Sequence, residues 1–214
     1  MRPRDWLEKW EQEQIGFHKA EVHRDLITWA PRFLAGGKHR VVVPLCGKTL
    51  DMNWMVDQGH EVVGIELSPI AAEAVFEESG RPFTLQRRDG LNIYEGGDLT
   101  VICGDIFKVG RQHVGNADRV WDRAALVALP PSLRDAYAAK IRELAPEGQI
   151  LLNSFAYDPT KRDGPPWSVP QKMIRGLYPE MEVLQISEEI EQIRQAWRDL
   201  GIDSWLTTTY LIDI

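Results

Sequence analysis

The sequence predicts an α/β fold in which a mostly parallel sheet carries helices on both faces. Three observations lead there. Short, strongly apolar runs recur at Arg40–Leu45 (RVVVPL), Glu61–Glu66 (EVVGIE), Leu99–Cys103 (LTVIC) and Gly148–Phe155. Runs that stay apolar through their centres, without alternating, belong to strands covered on both sides. Segments with helical spacing separate these runs, and turn signals such as Cys46-Gly47 and Gly59-His60 mark the junctions.

The elements follow in order. Asp5 to about Phe33 reads as helical and amphipathic, with Trp6 and Trp10 one turn apart and Leu7 on their side. The turn Ile15-Gly16-Phe17-His18 interrupts it, a second helix runs from about Val22 to Phe33, and Ala35-Gly36-Gly37 closes the unit. The strand Arg40–Leu45 leads through Cys46-Gly47 into a helix from near Lys48 to about Gln58. The strand Glu61–Glu66 precedes a helix from Ser68 to Ser79, with Ser68 as N-cap and Pro69 in the first helical position. Phe83 to about Tyr94 reads as an irregular strand or hairpin with Asp89-Gly90 as its turn. Further central strands fall at Leu99–Cys103, Ala117–Trp121 and Gly148–Phe155, and a helix starting at Pro130-Pro131-Ser132 runs through Leu144. The Pro/Gly-rich stretch Asp158–Pro170 is a loop whose place after a central strand suits an active-site flap. A helix near Gln171–Leu177 and strands near Glu182–Ile186 and Leu206–Ile212 complete the chain.

Composition narrows the function classes. The 214 residues, 43% hydrophobic and 27% charged, are enough for one buried core. One domain over residues 1–214 is expected, with 1–37 as a helical lid and 38–214 as the core. A formal charge of −7 lacks the basic footprint that nucleic acid requires. No apolar run approaches the roughly 20 residues of a membrane helix, and Met1-Arg2-Pro3-Arg4-Asp5-Trp6 has no leader-like stretch. The two cysteines, Cys46 and Cys103, end apolar runs and belong to no CxxC pair. They read as buried free thiols in a cytoplasmic protein, and no metal site is expected.

Ligands of open α/β sheets bind at the carboxyl ends of the strands. Glu66 ends a buried strand about 20 residues after the first strand's turn, where a carboxylate can accept both hydroxyls of a ribose. Its plainer reading is a solvated strand-end charge. The turn Leu45-Cys46-Gly47-Lys48 has one glycine where a dinucleotide's pyrophosphate needs several. S-adenosylmethionine (SAM) has no phosphate, and its carboxylate can use the positive helix end near Lys48. An ordinary tight turn is the alternative. Asp105-Ile106 follows the third central strand, where Ile106 can pack on adenine and Asp105 can meet an edge nitrogen or serve only as a loop residue. Trp121-Asp122-Arg123 places a large π-face and two charges near the reacting group. There Arg123 either contacts ligand or forms a structural salt bridge with Asp122. Trp6 and Trp10 form either a lid over the sulfonium or plain core. Five strands of this alternation and a terminal pair fit the Rossmann-like, seven-stranded SAM-dependent methyltransferase sheet with an N-terminal helical cover.

Several stretches together resemble the thiopurine S-methyltransferase family: WEQEQIGFH at Trp10–His18, VPLCGKTLDMNW at Val43–Trp54 and GHEVVGIELS at Gly59–Ser68. WDRAALVAL at Trp121–Leu129, YDPTKRDGPPWSVP at Tyr157–Pro170, and GIDSW and YLI near the end extend the likeness over nearly the whole chain. The resemblance implies S-methylation of aromatic and heterocyclic thiols with SAM as cofactor. It implies Trp10, Leu45, Glu66 and Arg123 as cofactor contacts, with Ile106 in a matching cofactor segment. Phe17 and the flap Gly164-Pro165-Pro166-Trp167 are implied as walls of the thiol pocket, where Arg123 also reaches substrate. Trp167 stands where family members often carry phenylalanine. Arg194 and Arg198 lie near the family's C-terminal cations and receive no role. The resemblance further implies a monomer of the compact bacterial type and extends the acceptors to selenium and tellurium compounds.

Acidic thiols can arrive ionised, so no nucleophilic residue and no indispensable base are expected. Two rivals remain at this point. A nicotinamide-dependent oxidoreductase would need the missing glycines, and a non-catalytic SAM-binding sensor would bind SAM without turnover.

Overall fold

The computed structural model describes residues 2–192 and 195–214. Two helices lead, α1 (Pro3–Glu11) and α2 (Arg24–Phe33). The alternating core follows as β1 (Arg40–Pro44), α3 (Leu50–Asp57), β2 (Glu61–Glu66) and α4 (Pro69–Ser79). Then come β3 (Thr84–Arg88), β4 (Leu91–Gly96), β5 (Leu99–Cys103), a one-turn α5 (Arg111–Val114) and β6 (Arg119–Arg123). The chain ends with α6 (Pro131–Leu144), β7 (Gln149–Ala156), α7 (Gln171–Leu177), β8 (Glu182–Gln192), a one-turn α8 (Gln195–Arg198) and β9 (Ser204–Asp213).

The strands form one sheet in the order β3-β4-β5-β2-β1-β6-β7-β9-β8. Its centre, β5-β2-β1-β6-β7, is parallel. β9 and β8 close one side antiparallel. Among the described residues the sheet has nine strands, which corrects the expected seven. The two extra strands are the β3–β4 hairpin, added antiparallel beyond β5. Its turn has φ of 53° at Asp89 and 78° at Gly90. Positive φ at both central positions suits the right-handed twist of a two-residue hairpin. The hairpin is expected from its Asp89-Gly90 turn; the polar, exposed β3 (TLQRR) lacks the apolar run that marks the central strands, which is why it is not counted in the expected sheet.

Alternation along the parallel strands splits the core into two layers. Val42, Val63, Ile102, Val120 and Ile150 pack with Tyr137 and Ile141 of α6 and Ile174 of α7. Val41, Val43, Val62, Val101 and Trp121 point the other way, onto Leu26 and Phe33 of α2, Met52 and Met55 of α3, and Phe76 of α4. Each large buried side chain contributes about 1.5–3 kcal/mol, so both faces of the central strands stabilise the fold.

The N-terminal segment is tied to the sheet by buried polar bonds. The His23 N–H donates to Asp51 Oδ1 at 2.7 Å, and the His23 ring caps α2 by accepting the Asp25 N–H. Asp25 in turn accepts from Asn153 on β7 and Thr209 on β9. Buried polar groups are costly unless paired, so these contacts set where residues 2–33 sit relative to the strand ends. Element boundaries differ from expectation at three places that matter below. β6 covers Arg119–Arg123 instead of Ala117–Trp121, α1 ends at Glu11, and α3 begins at Leu50, capped by the Thr49 hydroxyl.

Candidate active site

The strand order reverses around β1, which pairs β2 on one side and β6 on the other. A crevice opens at such a switch point outside the carboxyl ends of the strands. Here it is a cleft open to solvent, the concave kind of place where small molecules bind. Leu45 to Thr49, Glu66 and Leu67, and Arg123 and Ala124 supply its floor, while Trp6, Trp10, Phe17 and His18 wall it from the N-terminal segment.

Glu66 occupies the end of β2 and is 7% exposed. Its Oε2 accepts the Gly47 N–H at 2.7 Å, and its Oε1 accepts the N–H groups of Leu67 and Ser68, both at 2.8 Å. One carboxylate thus joins the β1–α3 turn to the start of α4. Burial raises its pKa, and the three backbone donors oppose that rise. An ionised carboxylate offers about four acceptor sites, so capacity for a ligand hydroxyl remains. It is not a freely solvated charge.

The two turns beside Glu66 are strained in the same way. Leu45 has φ of 46° and Ala124 has φ of 66°, both in the left-handed region that side chains avoid. Each follows a central strand and lines the cleft, and such strain concentrates at ligand sites. Gly47, also at positive φ, meets the Trp10 ring: a Cβ there would lie 3.3 Å from its Cζ2. The single glycine therefore serves a close approach of Trp10 to the turn. Trp6 and Trp10 each set their ring edge-to-face against Phe17, with centroids 5.5 and 5.6 Å apart. The Lys48 ammonium pairs with Glu78 at 2.5 Å, and the positive helix end expected near Lys48 lies at Leu50, where α3 begins.

Trp121-Asp122-Arg123 sits inside β6, so successive side chains leave on opposite faces. Asp122 turns into the core, where it accepts from the Tyr137 hydroxyl at 2.8 Å and the Leu126 N–H at 3.2 Å. Trp121 and Arg123 face the cleft, and Trp121 Nε1 donates to Asp51 Oδ2 at 2.8 Å. The Asp122–Arg123 salt bridge weighed from sequence is not formed. Arg123 is part-buried, and among the described residues no carboxylate stands within ion-pair distance of it. Burial lowers its pKa, while the more distant Asp51 and Glu191 raise it.

Burial pushes the Asp122 pKa from 3.8 to about 6 against its hydrogen bonds. The folded protein then holds a proton that the unfolded chain releases, so this group's contribution to stability falls as pH rises from about 4 to 6. Asp122→Asn should remove that dependence. In urea unfolding at pH 4.5 and 7, the wild type should lose on the order of 2 kcal/mol more than the variant. Parallel curves would refute the assignment.

Of the residues singled out in the sequence, Trp10, Phe17, Leu45, Glu66 and Arg123 meet in this cleft. Ile106 does not line it. It is buried in the core layer beside Leu91 and Ile102, in a short 3-10 turn that Asp105 caps by accepting the Phe107 N–H. Trp167 does not line it either. The flap hangs at its edge, where the Trp167 N–H donates to Val127 O at 2.8 Å, next to the lining residue Ala128. The flap is held by the Tyr157 hydroxyl on Pro166 O and by Arg162, whose guanidinium lies 4.1 Å over the Trp197 ring. Arg198 is exposed on α8, and Arg194 lies outside the described residues. His18 and Asp51 were missed. Asp51 reads in sequence as an ordinary first-turn acid, and only the fold brings His23 and Trp121 to it.

The family of thiopurine S-methyltransferases matches residues 1–213. The chain belongs to the thiopurine S-methyltransferase family. Members from Methylococcus capsulatus and the rat are 41% and 36% identical to it. The first alignment covers 83% of this chain and 81% of the relative, and the second 97% and 90%. A SAM-dependent methyltransferase from Anabaena variabilis superposes with a TM-score of 0.67 at 15% identity, over 99% of this chain and 94% of that one. A Burkholderia thailandensis 1,6-didemethyltoxoflavin-N1-methyltransferase holding S-adenosylhomocysteine gives 0.63 at 14%, over 99% and 87%. The fold is that of SAM-dependent methyltransferases, and family membership makes this thiopurine S-methyltransferase homologue a SAM-using enzyme, which removes the nicotinamide and sensor readings. The cleft fits that donor: a buried strand-end carboxylate with spare acceptor capacity, an aromatic wall, and a turn with room for one close approach but no phosphate cradle. Among the described residues no helix is long and apolar enough to cross a membrane, and no cluster of metal-ligating side chains occurs.

Proposed function

We propose that the enzyme methylates the sulfur of aromatic and heterocyclic thiols in this cleft. The observation that carries the reading is Arg123: a part-buried guanidinium without an ion-pair partner among the described residues, set among Trp6, Trp10, Phe17 and Trp121. A buried cation lacking a counter-charge favours an anionic guest, and an aromatic thiolate supplies both the charge and the flat apolar body. SAM supplies an electrophilic methyl group, and its transfer to a thiolate neutralises charge.

The chain's own groups then have distinct tasks. Glu66 accepts a ribose hydroxyl, Leu45 lies on the adenine side, and Trp10 offers its π-face to the sulfonium. Arg123 holds the anionic acceptor and lies close enough to serve the cofactor as well. Phe17 and Trp167 bound the acceptor side, and residues 1–37 act as a lid that excludes water. No side chain serves as a nucleophile; catalysis comes from alignment of the reactants at about 3 Å in a dry cleft. Soft selenium and tellurium species extend the same reading by their chemistry. The two unpaired buried thiols fit a cytoplasmic protein, and a monomer is the assigned state; cell fractionation and size-exclusion chromatography check these assignments.

The test is a panel assay with labelled SAM. Arylthiols and thiopurines should be methylated at least about tenfold faster than the matching phenols and anilines, and selenite and tellurite form a separate arm. Methylation confined to oxygen or nitrogen acceptors would overturn the thiol assignment.

A further inference from the structure

His18 stands between α1 and α2, next to Phe17, half-buried against the cleft that Arg123 also lines. Its backbone N–H is taken by Ile15 O at 2.8 Å. Neither ring nitrogen has a hydrogen-bond partner among the described residues, and His18 is the one imidazole on the cleft's wall. The other basic candidates there are engaged. Glu66 is held by three backbone N–H groups. Asp51 is held by the His23 N–H and the Trp121 indole. The Cys46 thiol is pushed well above its ordinary value by burial. The charged groups facing His18 are Lys48, Glu78 and Arg123. Burial, Lys48 and Arg123 lower its pKa and Glu78 raises it, so the ring is neutral near pH 7 and has an open acceptor nitrogen.

We propose that His18 takes the proton from acceptors that enter the cleft un-ionised, so that ordinary thiols are substrates alongside acidic aromatic ones. This rests on the thiol reading above. The S–H bond breaks and its proton passes to an imidazole nitrogen of His18. The sulfur's electron pair forms the new bond to the methyl carbon, and the bond from that carbon to the donor sulfonium breaks, leaving a neutral thioether. The imidazolium, disfavoured beside Lys48 and Arg123, then returns its proton to water.

The experiment compares wild type and His18→Asn on two arylthiols of similar shape, one mostly ionised at the assay pH and one mostly un-ionised. Positioned proton transfer is worth about 10²–10⁴ in rate. The variant's loss of kcat/KM on the un-ionised thiol should therefore exceed its loss on the ionised one by at least about 30-fold. A second readout is the pH profile of kcat/KM on the weaker acid. Wild type should hold a plateau between the deprotonation of His18 and that of the thiol, whereas His18→Asn should follow the thiol's own ionisation. Equal losses on both thiols with pH profiles of the same shape would overturn the role of His18 and leave the thiol reading standing. A wild type that methylates neither thiol would overturn the thiol reading and this proposal with it.

Discussion

Glu66→Ala is expected to weaken SAM binding by about 10- to 100-fold and to destabilise the fold in the same protein. A ribose hydroxyl bonded to the acceptor site that remains on the carboxylate contributes about 1.5–3 kcal/mol, which is one to two decades in affinity. The stability cost has a separate origin. The N–H groups of Gly47, Leu67 and Ser68 all lose their acceptor, and unpaired donors cost about 1–3 kcal/mol each where they are buried. Glu66→Gln keeps one acceptor oxygen and should fall between wild type and alanine on both scales. Calorimetric titration with SAM and urea unfolding read the two effects independently. Since burial raises the Glu66 pKa, SAM affinity should also fall on acidification at a higher pH than an exposed glutamate would dictate. An unchanged SAM affinity in a folded Glu66→Ala protein would refute the ribose assignment.

Arg123→Ala is expected to lower kcat/KM for thiolate acceptors on the order of 100-fold while leaving the protein at least as stable. A hydrogen bond or ion pair to a charged group in a part-buried site is worth about 1.5–3 kcal/mol. The absence of a cost in stability follows from Arg123 having no ion-pair partner among the described residues. Removing one half of a buried pair strands a charge, whereas removing a lone buried cation relieves its desolvation. Arg123→Lys should rescue only in part, because a lysine ammonium lacks the planar fork and loses its proton more readily when buried. Steady-state kinetics on an arylthiol, read beside a thermal melt, distinguish the cases. Unchanged kinetics in a folded variant would remove Arg123 from the reaction. Together the two substitutions separate a residue that both binds and builds the site from one that only binds.

The parts of the site legible in the chain were those with local causes. Glu66 ends an apolar strand, so its position at the sheet's carboxyl edge follows from the strand itself. Leu45 and Gly47 follow the first strand for the same reason. Trp10 shares a helical face with Trp6, and that face had to be buried somewhere. Arg123 was legible as a strand-end cation. Its pairing was not, because a difference of two residues in the placement of β6 decides which way Asp122 points. Successive strand residues take opposite faces, so Asp122 enters the core with Tyr137 and Arg123 is left to the cleft.

Ile106 and Trp167 mark the limit of positional reasoning. Both stand in segments with functional neighbours, yet Ile106 packs into the core layer and Trp167 stops at the cleft's rim. Asp51 and His18 were hidden for the opposite reason: nothing in their neighbours along the chain distinguishes them. Asp51 gains its meaning from His23, 28 residues earlier, and Trp121, 70 residues later.

The sequence alone determined the alternation of strands and helices, the two-sided core and the strand-end carboxylate, because periodicity and turn chemistry act over a few residues. The hairpin near Phe83–Tyr94 was legible from its Asp89-Gly90 turn, but its place in the sheet, antiparallel beyond β5 and widening it to nine strands among the described residues, was decided only by pairing in the fold. The same holds for the cleft's wall. Trp10, Phe17 and His18 reach Glu66 and Arg123 only because buried hydrogen bonds from His23 and Asp25 dock the N-terminal segment onto residues far along the chain. Contacts of that length depend on the whole packed sheet, and no local pattern encodes them.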